Sequence, residues 1–189
     1  DLDTSGRVKS CQTTGNAMLV RWVFKALDLL QAPRILEVIL HLLTRVSRLT
    51  TDELEAVGQV LGPDAVRYSA VRIAEGWLLR LVSKINGDIA FTLFHTINLP
   101  AKGNHSRGNL DLLVHEMVHV YQFEKIGSVY IWEALRAQKT GGYRYGGWEG
   151  LEEKRRNGKL FSSFNREQQG QIAQDYYDDV LTPNLTPDS

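Results

Sequence analysis

LLVHEMVHVYQ, residues 112–122, sets three ionisable side chains, His115, Glu116 and His119, in an otherwise apolar run. Positions i and i+4 share one face of a helix, so the two imidazoles can aim at a common point. Glu116 lies about 100° round the helix, within reach of a water held at that point. This is the H-E-x-x-H arrangement, in which two histidines bind zinc and the glutamate serves as general base. Leu112, Leu113, Val114, Met117, Val118, Val120 and Phe123 surround the helix on nearly every side, which predicts a buried helix over about 109–126. Buried imidazoles and a buried carboxylate are costly unless paired or bound to a metal.

A catalytic zinc usually takes three protein ligands and leaves one position open. The extension H-E-x-x-H-x-x-G-x-x-H fails here, because Gln122 stands where glycine is needed and Lys125 where the third histidine is needed. Upstream, His95 and His105 are candidates. Downstream stand Glu124, Glu133, Glu149, Glu152, Glu153 and Glu167, with aspartates after those. Glu167 is preferred, since it falls in the first turn of a helix that Asn165 can cap, in FNREQQGQI. A charge near a helix N-terminus would explain the same residue without a metal.

The rest of the 189-residue chain allows one domain with an added subdomain. Its 22 basic and 22 acidic residues cancel, so no global field directs it to nucleic acid or anionic lipid. The single Cys11 cannot form an internal disulfide and reads as an incidental thiol. No signal peptide is expected, and the first apolar run carries Arg21, Lys25 and Asp28, so it is not a membrane span. Residues 1–15 read as a disordered leader and 182–189 as a disordered tail. Two helices, near 17–31 and 34–48, form an N-terminal hairpin whose wide apolar face is expected to be core, with His41 in a solvated charged stripe. Thr50 and Glu53 mark a capping box, and Gly62-Pro63 ends that helix. AVRYSAVRIA and IAFTLFHTINLP read as strands, GWLLRLVSKING as a short helix, and KTGGYRYGGWEG as a loop. A further helix is expected over 128–138, and the last begins after Asn165.

HEMVHVYQ followed by FNREQQGQI resembles the zincin metallopeptidase domain at the C-terminal end of certain VgrG spike proteins of type VI secretion systems. The preceding order of elements resembles zincin-like domains associated with contractile injection systems. The resemblance covers about 49–181, with the hairpin of 16–48 outside it. It implies an α+β, mainly helical zincin-like fold with a small sheet and an active-site helix carrying HExxH. It implies one zinc ion on His115, His119 and Glu167, with Glu116 as general base. The implied activity is that of a zinc peptidase acting on a peptide or protein, a secreted antibacterial effector with a secretion-apparatus or immunity partner. Export by a contractile system, to act in a target cell or its periplasm, goes with that reading.

In such a site Glu116 would take a proton from the attacking water, and a nearby donor would stabilise the oxyanion. Tyr143, Tyr145 and His95 are candidates for that donor, and Gln122, one turn beyond His119, for a residue that orients it. IAFTLFHTINLP could pair with an extended substrate along its edge. The competing readings are a zincin-like binding or structural module without turnover, and a regulatory protein whose working surface is the hairpin.

Overall fold

The central element is the helix of the HExxH motif, α4 in the order below, Leu110–Ile126, and its all-round apolar sequence dictates its place. Leu113, Val114, Met117, Val118 and Val120 are fully buried. The computed structural model describes residues 5–75, 90–99 and 107–185. The fold is mainly helical α+β. In chain order the described elements are α1 Ser5–Leu29, α2 Ala32–Leu43, β1 Arg45–Ser47, α3 Thr51–Leu61, β2 Arg72–Glu75, β3 Phe91–Leu93 and β4 Thr96–Asn98. After these come α4, α5 Val129–Thr140, α6 Gly147–Arg156, α7 Arg166–Tyr176, a π turn at Tyr177–Leu181 and α8 Thr182–Leu185.

α4 packs against α3, α5, α7 and β3. The core joins Val57 of α3 and Val71, Ile73, Ile97 and Leu99 of the sheet region to α4, and closes with Ala173 of α7 and Tyr177 just after it. Gly127 ends α4 with φ 72° while its N–H donates to Phe123 O at 2.7 Å, as a glycine C-cap allows. A Cβ there would also collide with the Asp28 carboxylate.

The capping box at Thr50 forms as the sequence predicts, and Glu53 does a second job. Its carboxylate receives Arg107 Nε at 2.6 Å and Nη2 at 2.9 Å, a paired contact that ties the start of α3 to the segment entering α4. Burial would raise the Glu53 pKa, but Arg107 and the Thr50 amide hold it below its ordinary value.

The sheet has the order β1-β2-β4-β3, with β2 and β4 parallel and the outer pairs antiparallel. IAFTLFHTINLP is therefore not one strand but a hairpin. It turns at Phe94-His95, and Phe94 adopts φ 57° without being glycine. Left-handed backbone costs a non-glycine roughly 1–2 kcal/mol. The cost is offset by burying the Phe94 ring against Phe123, 5.3 Å between centroids, and by Tyr130, whose Oη accepts from Phe94 N–H and donates to Thr92 O.

Other expectations change too. α1 begins at Ser5, inside the segment read as a leader; once a helix is nucleated each added residue costs little, even in a polar sequence. α2 stops at Leu43, and residues 45–47 of the predicted second helix pair with β2 instead. In AVRYSAVRIA, residues 68–70 form a 3-10 turn and only 72–75 a strand. KTGGYRYGGWEG is loop only from Gly141 to Gly146: Lys139 and Thr140 end α5, and α6 begins at Gly147. Residues 182–185, read as tail, are helical. The short helix expected in GWLLRLVSKING lies outside the described residues.

The N-terminal hairpin docks with its faces opposite to expectation. Glu37 accepts from His95 N–H at 2.7 Å, and His41 Nε2 lies 2.8 Å from Thr96 Oγ1. Asp28 accepts from Ser128 N–H and Oγ. Meanwhile Ile35, Leu36, Val38, Ile39 and Leu42 of α2 are exposed. The apolar face is not core, and His41 is not in a solvated stripe: the polar stripe faces inward because the β3–β4 turn offers it hydrogen-bonding groups.

Candidate metal centre

α7 brings the third group. Asn165 caps it by accepting from Gln168 N–H at 2.8 Å, while Gln168 Oε1 accepts from Asn165 N–H. The cap fixes the first turn, so Glu167 and, one turn on, Gly170 face α4. Gly170 leaves no room for a side chain: a Cβ there would stand 2.7 Å from two atoms of the His115 ring.

Ligand atoms of His115, His119 and Glu167 all lie within 4.8 Å of one another, and all three residues are buried. Glu167 Oε2 is 3.6 Å from His115 Nε2 and 3.7 Å from His119 Nε2. Both are longer than a good hydrogen bond. Metal–ligand bonds of about 2.0–2.2 Å in a tetrahedral site set donor atoms roughly 3.4 Å apart. The residues therefore fit a metal ion held between them. His115 Nδ1 is buried without a hydrogen-bond partner among the described residues, so the ring is aligned by packing and by the site itself.

The surroundings orient these groups. His119 Nδ1–H donates to Gln122 Oε1 at 2.9 Å, which leaves Nε2 free to ligate. Gln122 is fixed in turn, donating to Arg166 O and to Gln169 Oε1, both at 3.0 Å. Glu167 Oε1 accepts from Gln138 Nε2 at 3.0 Å. Glu116 Oε2 accepts from Thr92 Oγ1 at 2.7 Å, which ties it to strand β3.

The charges interlock. Burial alone would lower the His119 pKa, but the adjacent Glu167 carboxylate and the negative charge of Glu116 push it up to about 9. Burial alone would raise Glu167, but the two imidazoles hold it down at about 2. The free site is thus a protonated imidazole against a carboxylate, and the proton is what a cation would displace.

No family model, no curated protein and no solved structure matches this chain.

The remaining candidates divide. Tyr143 belongs to the site: its ring centroid is 5.7 Å from that of His115. Burial and the charges of Glu167 and Glu116 push its phenol up to about 12. Tyr145 does not belong; it is buried with Phe164 and Ile172, and its hydroxyl donates to Asp175 at 2.6 Å. His95 does not belong either, being held by Glu124 at 2.9 Å, Glu37 and Arg67. Burial would lower its pKa, but the two carboxylates raise it. Glu133 is occupied by Arg21 and Arg166, and Glu152 by Arg155 and Arg156, while Glu149 and Glu153 are exposed. His105 lies outside the described residues. Sequence reading missed Thr92, Gln138 and Gly170. For Gly170 the signal was present, as a glycine within a helix one turn after the chosen acid.

Proposed function

We propose that this chain is a zinc-dependent peptidase. The observation that carries the reading is the convergence of His115, His119 and Glu167, with Glu116 next in sequence and held by Thr92. Two imidazoles and a carboxylate form a donor set suited to zinc, with a coordination position left for water. Zinc bound there supplies Lewis acidity and lowers the pKa of a water from about 15.7 towards 7.

Glu116 is the general base, taking a proton from the attacking water and passing it to the leaving amine. Its hydrogen bond from Thr92 sets the direction of the carboxylate. Tyr143, whose phenol is pushed up by burial and so is protonated at neutral pH, is the donor for the oxyanion of the tetrahedral intermediate. Among the described residues β3 ends the sheet next to Glu116, and an extended peptide can add along its outer side as a further strand. A peptide or protein substrate is proposed on this ground. A role as a secreted effector with a secretion-apparatus or immunity partner rests on the resemblance of the two motifs alone.

The experiment is metal analysis and peptide-library cleavage with the wild type, Glu116→Gln, His115→Ala and Glu167→Ala. Glu116→Gln should retain one zinc and lose at least about 100-fold in cleavage, while the other two lose the metal. Stoichiometric zinc without cleavage of any peptide by the wild type would make the chain a zincin-like binding module instead.

A further inference from the structure

The outer face of the N-terminal hairpin is largely apolar, with Lys25 over the Trp22 ring and Arg34 beside Leu29 and Leu30 as its cations. Counting about 100° per residue spreads Met18, Leu19, Trp22, Val23 and Leu29 over one broad side of α1, whose middle lies away from Asp28, which is anchored to Ser128. On α2 the exposed side chains lie opposite the inward-facing Glu37 and His41. Exposure reaches 69% at Trp22, 85% at Leu29 and 81% at Leu42. In all, twelve large apolar side chains between Met18 and Leu42 are exposed.

Side chains this exposed leave on the order of 100 Å² uncovered each, hence on the order of 1,000 Å² together, against ~800 Å² per partner in a standard interface. An ordinary monomer's largest apolar patch is about 300–600 Å². The hairpin is also firmly placed by polar contacts: Arg21 to Glu133, Asp28 to Ser128, Glu37 to His95 and His41 to Thr96. It presents a defined surface.

We propose that this face binds a second copy of the same chain. Two antiparallel helices apposed to an identical pair about a two-fold axis form a four-helix layer, with the same residues contributed by both copies. The hairpin's two acids, Asp28 and Glu37, both face the domain, so no carboxylate is forced into the apolar contact. A lipid surface is the less favoured occupant. Helices that lie on membranes carry a strongly charged free face, whereas here the face opposite the apolar one is occupied by contacts within the chain.

The test is sedimentation and light scattering of the full chain. The mass should be twice the 21.4 kDa of one chain. The variants Leu30→Glu and Ile39→Glu, one per helix, should each weaken self-association at least 100-fold while leaving the circular dichroism spectrum unchanged. A spin label at Leu29→Cys, in a Cys11→Ser background, should report dipolar coupling between copies without introducing a charge. A wild type that stays monomeric, a dimer indifferent to both substitutions, or absent coupling overturns the proposal. A monomer that floats with phosphatidylglycerol vesicles also overturns it and assigns the face to lipid.

Discussion

Gly170 of α7 lies directly against the imidazole of His115, with 2.7 Å between the place a Cβ would occupy and the ring atoms Cε1 and Nε2. This closeness lets Glu167, one turn earlier, reach the point where the two histidines meet. Gly170→Ala should therefore act in opposite senses on helix and site. Alanine favours a helix over glycine by about 1 kcal/mol, yet here it forces α7 away from α4. Metal affinity is expected to fall about 10-fold or more, measured by competition with a chromogenic chelator, with helix content undiminished. Wild-type affinity in this variant would mean that the approach of α7 does not set the site.

Gln122 holds His119 in the tautomer that ligates. Gln122→Met keeps the volume and removes both the acceptor for Nδ1–H and the donor to Arg166 O and Gln169. Loss of such a partner typically costs 10–100-fold in metal affinity. Stability should also fall, by about 1–3 kcal/mol, because Gln169 and the Arg166 carbonyl lose a buried partner. Chemical denaturation of the metal-free protein measures the second effect apart from the first.

Metal binding should release a proton at neutral pH. His119 titrates at about 9 in the free site and Glu167 at about 2, so at pH 7 the ring carries the proton and the acid does not. Apparent affinity should rise about tenfold per pH unit up to about pH 9. Calorimetry in buffers of different ionisation enthalpy should give about one proton per ion at pH 7. The stability of the metal-free protein should move the other way. The raised pKa of His119 contributes fully below its ordinary value of 6.5, and that contribution is lost as pH rises through about 9. The depressed pKa of Glu167 contributes above 4.5 and is lost as pH falls towards 2. A melting temperature of the chelator-treated protein that rises between pH 6.5 and 9 would contradict this assignment.

Thr92 touches the carboxylate of Glu116 but not the three ligands' cluster, so Thr92→Val separates orientation of the base from metal binding. If the chain cleaves peptides as proposed, kcat should fall about 10-fold with zinc content unchanged. An unchanged kcat in this variant would assign Thr92 to packing alone.

Much of the site was legible because its pieces are local. The spacing of His115 and His119 is a property of one helix. The caps at Thr50 and Asn165 form as written, because each needs only residues three positions apart. The stop at Gly127 needs only a residue tolerant of positive φ. Glu167 was legible as the opening of a helix, but its partners lie about fifty residues away, and only the packing of α7 on α4 brought them together.

Other features have no local signal. IAFTLFHTINLP has the β-branched and aromatic content of a single strand, yet it turns at Phe94 because Phe123 and Tyr130, brought in by α4 and α5, make a left-handed phenylalanine tolerable. The amphipathic pattern of α2 was visible, but not which of its faces would meet the domain. A period of 3.6 residues says that two faces differ and nothing about their neighbours. That choice fell to the hydrogen-bonding groups of the β3–β4 turn, which took Glu37 and His41 inward and left the apolar face outside. Short-range spacing thus determined the ligand pair, the caps and the helix ends of this protein. The third ligand's approach and the orientation of the hairpin were decided only when distant surfaces met, since both depend on the shape and polarity of groups remote in the chain.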